Sequence, residues 1–125
     1  MKIYKDFKFD AAHNLINYHG KCEKLHGHTY KLRVELEGRP DSEGMIIDFI
    51  ELKNIVNNKI ISKLDHNYIN DLIAQPTAEN IAVWIWRELE KDLTRENCNL
   101  FKISVWETET SCVKINSEDV SNITI

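Results

Sequence analysis

No run among the 125 residues is long and apolar enough to span a bilayer. No internal repeat, low-complexity stretch or linker breaks the chain. The opening Met1-Lys2-Ile3-Tyr4-Lys5-Asp6 lacks the apolar core of a secretory leader, so the cytoplasm is the expected compartment. Cysteine is scarce and odd in number: Cys22, Cys98 and Cys112 stand at irregular intervals, which argues against a disulfide framework. Positive charge is not in excess. The net charge is -4 with mixed signs, so neither nucleic acid nor an anionic membrane is an expected partner. A local cluster of Lys and Arg can still receive an anionic substrate. The His-Glu-x-x-His pattern of zinc hydrolases is also missing.

What the chain does have is histidine in a pattern. His13 stands alone, His26 and His28 form a His-Gly-His triplet, and Cys22 lies just upstream. Three neutral imidazoles are a full ligand set for a catalytic zinc that keeps one position open. Substrate or water binds at such a position, so the pattern points to chemistry. Hydrophobic residues make up 42% of the chain, enough for one core at this length, and residues 1–125 read as a single domain.

Periodicity places these histidines. From residue 3 to 13, Ile3, Lys5, Phe7, Phe9, Ala11 and His13 share one strand face. From 26 to 38, His26, His28, Tyr30, Leu32, Val34 and Leu36 share another, and residues 14 to 25 form a polar loop between. Two such strands can pair and focus three nitrogens on one ion. Asp48 caps a helix carrying Leu52, Val56 and Ile60, which ends near Leu64. After a loop, Pro76-Thr77 opens a second helix with Ile81, Ala82, Ile85 and Leu89 on its apolar face. Asn97 to Asn99 read as a turn. Phe101, Ile103, Val105 and Glu107 then share a strand face, and Val113 and Ile115 mark a last short strand. The tail from Ser117 has no pattern. The order ββααββ predicts an α+β domain, a four-stranded antiparallel sheet with two helices on one face.

Six stretches, in order, resemble the 6-pyruvoyltetrahydropterin synthase family, and within it the bacterial 6-carboxytetrahydropterin synthases of queuosine biosynthesis. They are Phe9-Asp10-Ala11-Ala12-His13, Cys22-Glu23-Lys24-Leu25-His26-Gly27-His28, Ile47-Asp48-Phe49, Leu64-Asp65-His66, Pro76-Thr77-Ala78-Glu79-Asn80 and Val105-Trp106-Glu107-Thr108. The resemblance implies a tunnelling fold, in which sheets of several subunits join into a barrel. It implies a homohexamer built as a dimer of trimers, with active sites at subunit interfaces.

The resemblance also implies roles. His13, His26 and His28 would hold zinc. Cys22 matches the family's proton-abstracting cysteine; the competing reading makes it a fourth zinc ligand in a closed structural site. His66 matches the second acid/base group, oriented by Asp65. Glu107 matches the glutamate that accepts the paired N–H donors of a pterin edge; Glu109 is the rival by position, and the Glu-Thr register favours Glu107. The substrate implied is 7,8-dihydroneopterin triphosphate and the product 6-carboxy-5,6,7,8-tetrahydropterin. Glu23 departs from the plain pattern. A folate-linked subgroup carries a glutamate near this position and cleaves the side chain to 6-hydroxymethyl-7,8-dihydropterin. Glu23 is therefore either a second base or a solvated loop residue. The 6-pyruvoyl product of biopterin synthesis and a zinc-stabilised pterin-binding module without turnover complete the alternatives.

Overall fold

The computed structural model describes residues 1–125. Four strands form one antiparallel sheet in sequence order: β1 (Lys2–His13), β2 (His26–Gly38), β3 (Cys98–Thr108) and β4 (Ser111–Ile115). The strand boundaries at His13 and His26 are those the alternation predicts. Between β2 and β3 run α1 (Phe49–Val56), a π-helical turn (Asn57–Ile61), α2 (Ser62–Leu64), a 3-10 turn (Ile69–Asp71) and α3 (Ala78–Leu89). A short α4 (Ser117–Val120) follows β4.

One face of the sheet is apolar. Phe7, Phe9, Tyr30, Leu32, Val34, Ile103 and Val105 are buried there with Leu52, Val56, Ile60 and Leu64 of the first helical run and Ile81, Ile85 and Leu89 of α3. The other face carries charge: Asp6 accepts two bonds from Arg33, whose guanidinium lies 3.8 Å from the Tyr4 ring centroid. Both predicted caps are present. The Asp48 carboxylate accepts from the Ile50 amide and the Thr77 hydroxyl from the Asn80 amide.

Four expectations need correction. The first helix is not uniform. Leu52, Val56, Ile60 and Leu64 recur at a strict spacing of four and are all buried, whereas a regular α-helix would carry such a row around its axis. The wider π turn at Asn57–Ile61 absorbs one extra residue and returns Ile60 and Leu64 to the core side. Next, β3 begins at Cys98, so Asn99 is in the strand and not in a turn. Phe101 also leaves the face assigned to it. The register slips between Glu35, paired with Lys102, and Leu36, paired with Leu100, so Phe101 has no partner. Leu100 takes the inward place, and Phe101 instead meets the Lys2 ammonium at 4.3 Å. Finally, the unpatterned tail holds α4, which a reciprocal Asn116–Asp119 capping box starts.

Candidate metal centre and active site

The pairing of β1 with β2 sets His13 directly opposite His26, and Ala11 opposite His28. Paired positions share a face, so the three imidazoles converge at the end of the apolar side. One ligating nitrogen from each lies within 4.8 Å of the others. His13 Nδ1 donates to the Pro76 carbonyl at 2.8 Å, and His26 Nδ1 donates to the Lys24 carbonyl at 2.9 Å. A carbonyl only accepts, so each Nδ1 carries the proton and each Nε2 a lone pair. Those two Nε2 atoms face each other at 3.1 Å. Two lone pairs at that distance repel unless a cation lies against both.

His28 completes the argument. Its Nε2 is buried without a hydrogen-bond partner, which costs free energy in any folded protein. Burial holds its pKa below the ordinary histidine value, with the Glu107 carboxylate opposing; that favours the neutral form, the form that ligates. The donor set therefore fits a divalent cation: three neutral imidazoles, two oriented by backbone carbonyls behind them. Tyr30 lies beneath, fully buried, and burial pushes its phenol well above the ordinary range.

Glu107, near the end of β3, places Oε1 3.6 Å from His28 Nε2 and stays half-exposed. The structure thus brings Glu107 to the histidine cluster. The rival Glu109 is exposed and borders a separate cavity of about 470 Å3 with Trp106, Lys8 and Lys31.

Cys22 is exposed in the loop between β1 and β2, outside the cluster of ligating atoms, and its thiol donates to the Ile16 carbonyl at 3.4 Å. Glu23 is half-buried rather than solvated, and its Oε1 accepts from the Leu15 amide at 3.2 Å.

Asp65 and His66 form a second group. His66 Nδ1 lies 3.0 Å from Asp65 Oδ2, while Asp65 Oδ1 accepts from the Asp10 amide at 2.9 Å. The Asp10 amide, then His66, hold the Asp65 carboxyl below its ordinary pKa. The His66 amide donates in turn to the Asp10 carbonyl at 2.6 Å, and His66 adopts φ +58°, a strained value for a non-glycine residue. The dyad is thus pinned to the free edge of β1. It borders an open groove of about 510 Å3 lined by Asp10, Ala12, Gly27 and Thr29 of the polar sheet face and also by Ala11 and His28. The three imidazoles and the Asp65–His66 dyad form separate clusters, and no hydrogen bond or ion pair joins them within one chain. Sequence reasoning missed Pro76 and Lys24, whose carbonyls orient the histidines; backbone acceptors leave no side-chain signal.

The chain resembles known proteins along nearly its whole length. Residues 2–118 match the model of the family described as 6-pyruvoyl tetrahydropterin synthase. The 6-carboxy-5,6,7,8-tetrahydropterin synthase of Haemophilus influenzae is 38% identical, the alignment covering 88% of this chain and 94% of that protein. The dihydroneopterin monophosphate aldolase of Pyrococcus furiosus is 39% identical over 79% of this chain and 82% of its own. Among solved structures, the Caenorhabditis elegans 6-pyruvoyl tetrahydropterin synthase superposes with a TM-score of 0.79 at 21% identity, covering 94% and 95% of the two chains.

Proposed function

The chain belongs to the 6-pyruvoyl tetrahydropterin synthase family, a family of enzymes, and on that premise we propose that it converts 7,8-dihydroneopterin triphosphate and water to 6-carboxy-5,6,7,8-tetrahydropterin, acetaldehyde and triphosphate. Such a product serves queuosine biosynthesis. The observation that carries the reading is the cluster of His13, His26 and His28 with the orphaned His28 Nε2 and the Glu107 carboxylate beside it.

His13, His26 and His28 would hold a zinc ion. When bound, zinc supplies positive charge that acidifies hydroxyl groups near it. Glu107 accepts the adjacent N–H donors of the pterin edge and fixes the ring plane. Cys22, as thiolate, takes the proton from the side-chain carbon next to the ring. Asp65 holds the His66 ring by one nitrogen and leaves the other free to move a second proton.

The side chain of His66 is 78% exposed and makes no bond to the imidazoles of its own chain. We infer that it serves the metal site of a neighbouring subunit, in an assembly whose sheets close into a barrel, a homohexamer made as a dimer of trimers.

Mass spectrometry of the products from zinc-loaded protein and dihydroneopterin triphosphate tests the activity. The carboxylated tetrahydropterin is expected; unchanged substrate with metal bound would overturn the reading. A second reading, side-chain cleavage to 6-hydroxymethyl-7,8-dihydropterin, is favoured by the likeness to the Pyrococcus aldolase, and that product would identify it.

A further inference from the structure

On the outer edge of β1, backbone amides find partners at every second residue from Asp10 onward, the spacing at which a strand presents its amides to one edge. The Asp10 amide donates to Asp65 Oδ1 at 2.9 Å and the Ala12 amide to the Asn67 carbonyl at 3.1 Å. The Asn14 amide donates to Asn70 Oδ1 at 3.0 Å and the Ile16 amide to Gln75 Oε1 at 2.8 Å. The row thus continues past the end of the strand at His13. The facing backbone does not. Ile69 and Ile73 are buried in the core, and the 3-10 turn at Ile69–Asp71 carries the chain away from the edge.

Two side chains stand in for that missing backbone. A primary amide offers a donor and an acceptor, as a peptide group does. Asn70 accepts from the Asn14 amide and returns a bond from Nδ2 to the Asn14 carbonyl at 2.8 Å. Gln75 accepts from the Ile16 amide and donates from Nε2 to the Asn17 carbonyl at 3.2 Å. Both side chains are half-buried, and both sit on fixed backbone. Asn70 follows the fully buried Ile69. The Gln75 carbonyl accepts from Asn80 Nδ2 at 2.8 Å and from the Thr77 amide at 2.9 Å, at the start of α3. The Tyr68 hydroxyl adds a bond to Asn14 Oδ1.

What they grip is the first arm of the loop between β1 and β2, whose second arm carries Cys22. The hydrogen bonds of Lys21, Cys22 and Glu23 all run to the first arm. Tyr18 and Lys21 exchange backbone bonds of 2.7 and 3.0 Å, the Cys22 thiol donates to the Ile16 carbonyl at 3.4 Å, and the Glu23 amide donates to the Leu15 carbonyl at 2.8 Å. Cys22 therefore takes its place from an arm that Asn70 and Gln75 tie to the body of the fold. Asp65 and His66 belong to the same edge, so the dyad and the Cys22 loop hang from one row of bonds.

We propose that Asn70 and Gln75 are positioning residues: their side-chain amides continue the outer ladder of β1 beyond the strand and set the loop that carries Cys22. The effect on turnover rests on the pterin reading; the grip on the loop does not. Gln75→Glu keeps an acceptor of the same reach for the Ile16 amide, whereas Gln75→Ala and Asn70→Ala remove one.

The test measures hydrogen exchange at single amides without substrate, and kcat and KM with dihydroneopterin triphosphate, on the zinc-loaded wild type and the three variants. Asn70→Ala is expected to lose protection at Asn14, and Gln75→Ala at Ile16, with Asp10 and Ala12 protected as in the wild type. Each is expected to lower kcat about 10-fold with little change in KM, as a displaced catalytic group does. Gln75→Glu is expected to keep Ile16 protected and to recover most of the kcat lost in Gln75→Ala. Wild-type protection at Asn14 and Ile16 in the alanine variants would overturn the proposal, and so would lost protection with wild-type kcat. A Gln75→Glu variant with Ile16 protected but no recovery of kcat would overturn it too. Where Asn70→Ala does not fold, the two Gln75 variants decide. If the wild type turns over no pterin, the activity assignment fails, and exchange at Asn14 and Ile16 decides the grip on the loop.

Discussion

At the scale of single residues, the site is built from protons already placed. Pro76 and Lys24 take the Nδ1 protons of His13 and His26, which leaves two lone pairs and the bare His28 Nε2 around one point. His28→Ala is expected to lower zinc content, read by elemental mass spectrometry, well below the wild type with the circular dichroism spectrum kept. Full zinc content in that variant would remove His28 from the ligand set. A second residue-level prediction concerns pH. The Arg33 guanidinium, by hydrogen bond and by charge, holds the Asp6 carboxyl below its ordinary value. A carboxylate with a depressed folded pKa stabilises above its unfolded value of about 3.9 and loses that contribution as pH falls through the folded pKa. Asp6→Asn should therefore lower stability at neutral pH and converge on the wild type in acid. The pair is partly exposed, so solvent screening limits the difference to about 1 kcal/mol or less. Thermal melts across pH read it.

Elements show where pattern reading succeeds and where it fails. The second strand of the site was legible to the residue and the first to within one residue at its start, because alternation of period two fixes which side chains share a face. The helices were legible as elements, but the π turn was not, although its trace lies in the spacing of Leu52, Val56, Ile60 and Leu64. Deleting the exposed Asn58 would change that row to spacings of four, three and four, which a regular α-helix keeps on one face. The deletion should cost less in urea unfolding than Leu52→Ala, whose buried truncation removes about 2–5 kcal/mol. A greater loss would mean that the π turn itself is needed. The bulge at Phe101 had no such trace: it arises where β3 meets the register of β2, a cross-strand property. The capped α4 was overlooked because a four-residue helix is too short for periodicity to register.

For the whole molecule, the Asp65–His66 dyad and the imidazoles of its own chain stand as separate clusters. A site that needs both would draw them from two subunits. Co-expressing Cys22→Ala with His66→Ala, each inactive alone, is then expected to restore activity. Random pairing gives about a quarter of the wild-type level when one site takes the two groups from different chains. Mixed oligomers without activity would place Cys22 and His66 of one chain in one site.

The sequence by itself determined which residues face the core, that three histidines leave one face together, and the family to which the chain belongs, because these follow from local alternation and from motifs written in order. Only the tertiary structure decided how near Glu107, the glutamate the Glu-Thr register favours over Glu109, comes to His28, that backbone carbonyls orient the ligands, and that Asp65–His66 docks on the β1 edge. Each of these depends on contacts between residues far apart in the chain, set by strand register and backbone acceptors that no side-chain pattern records.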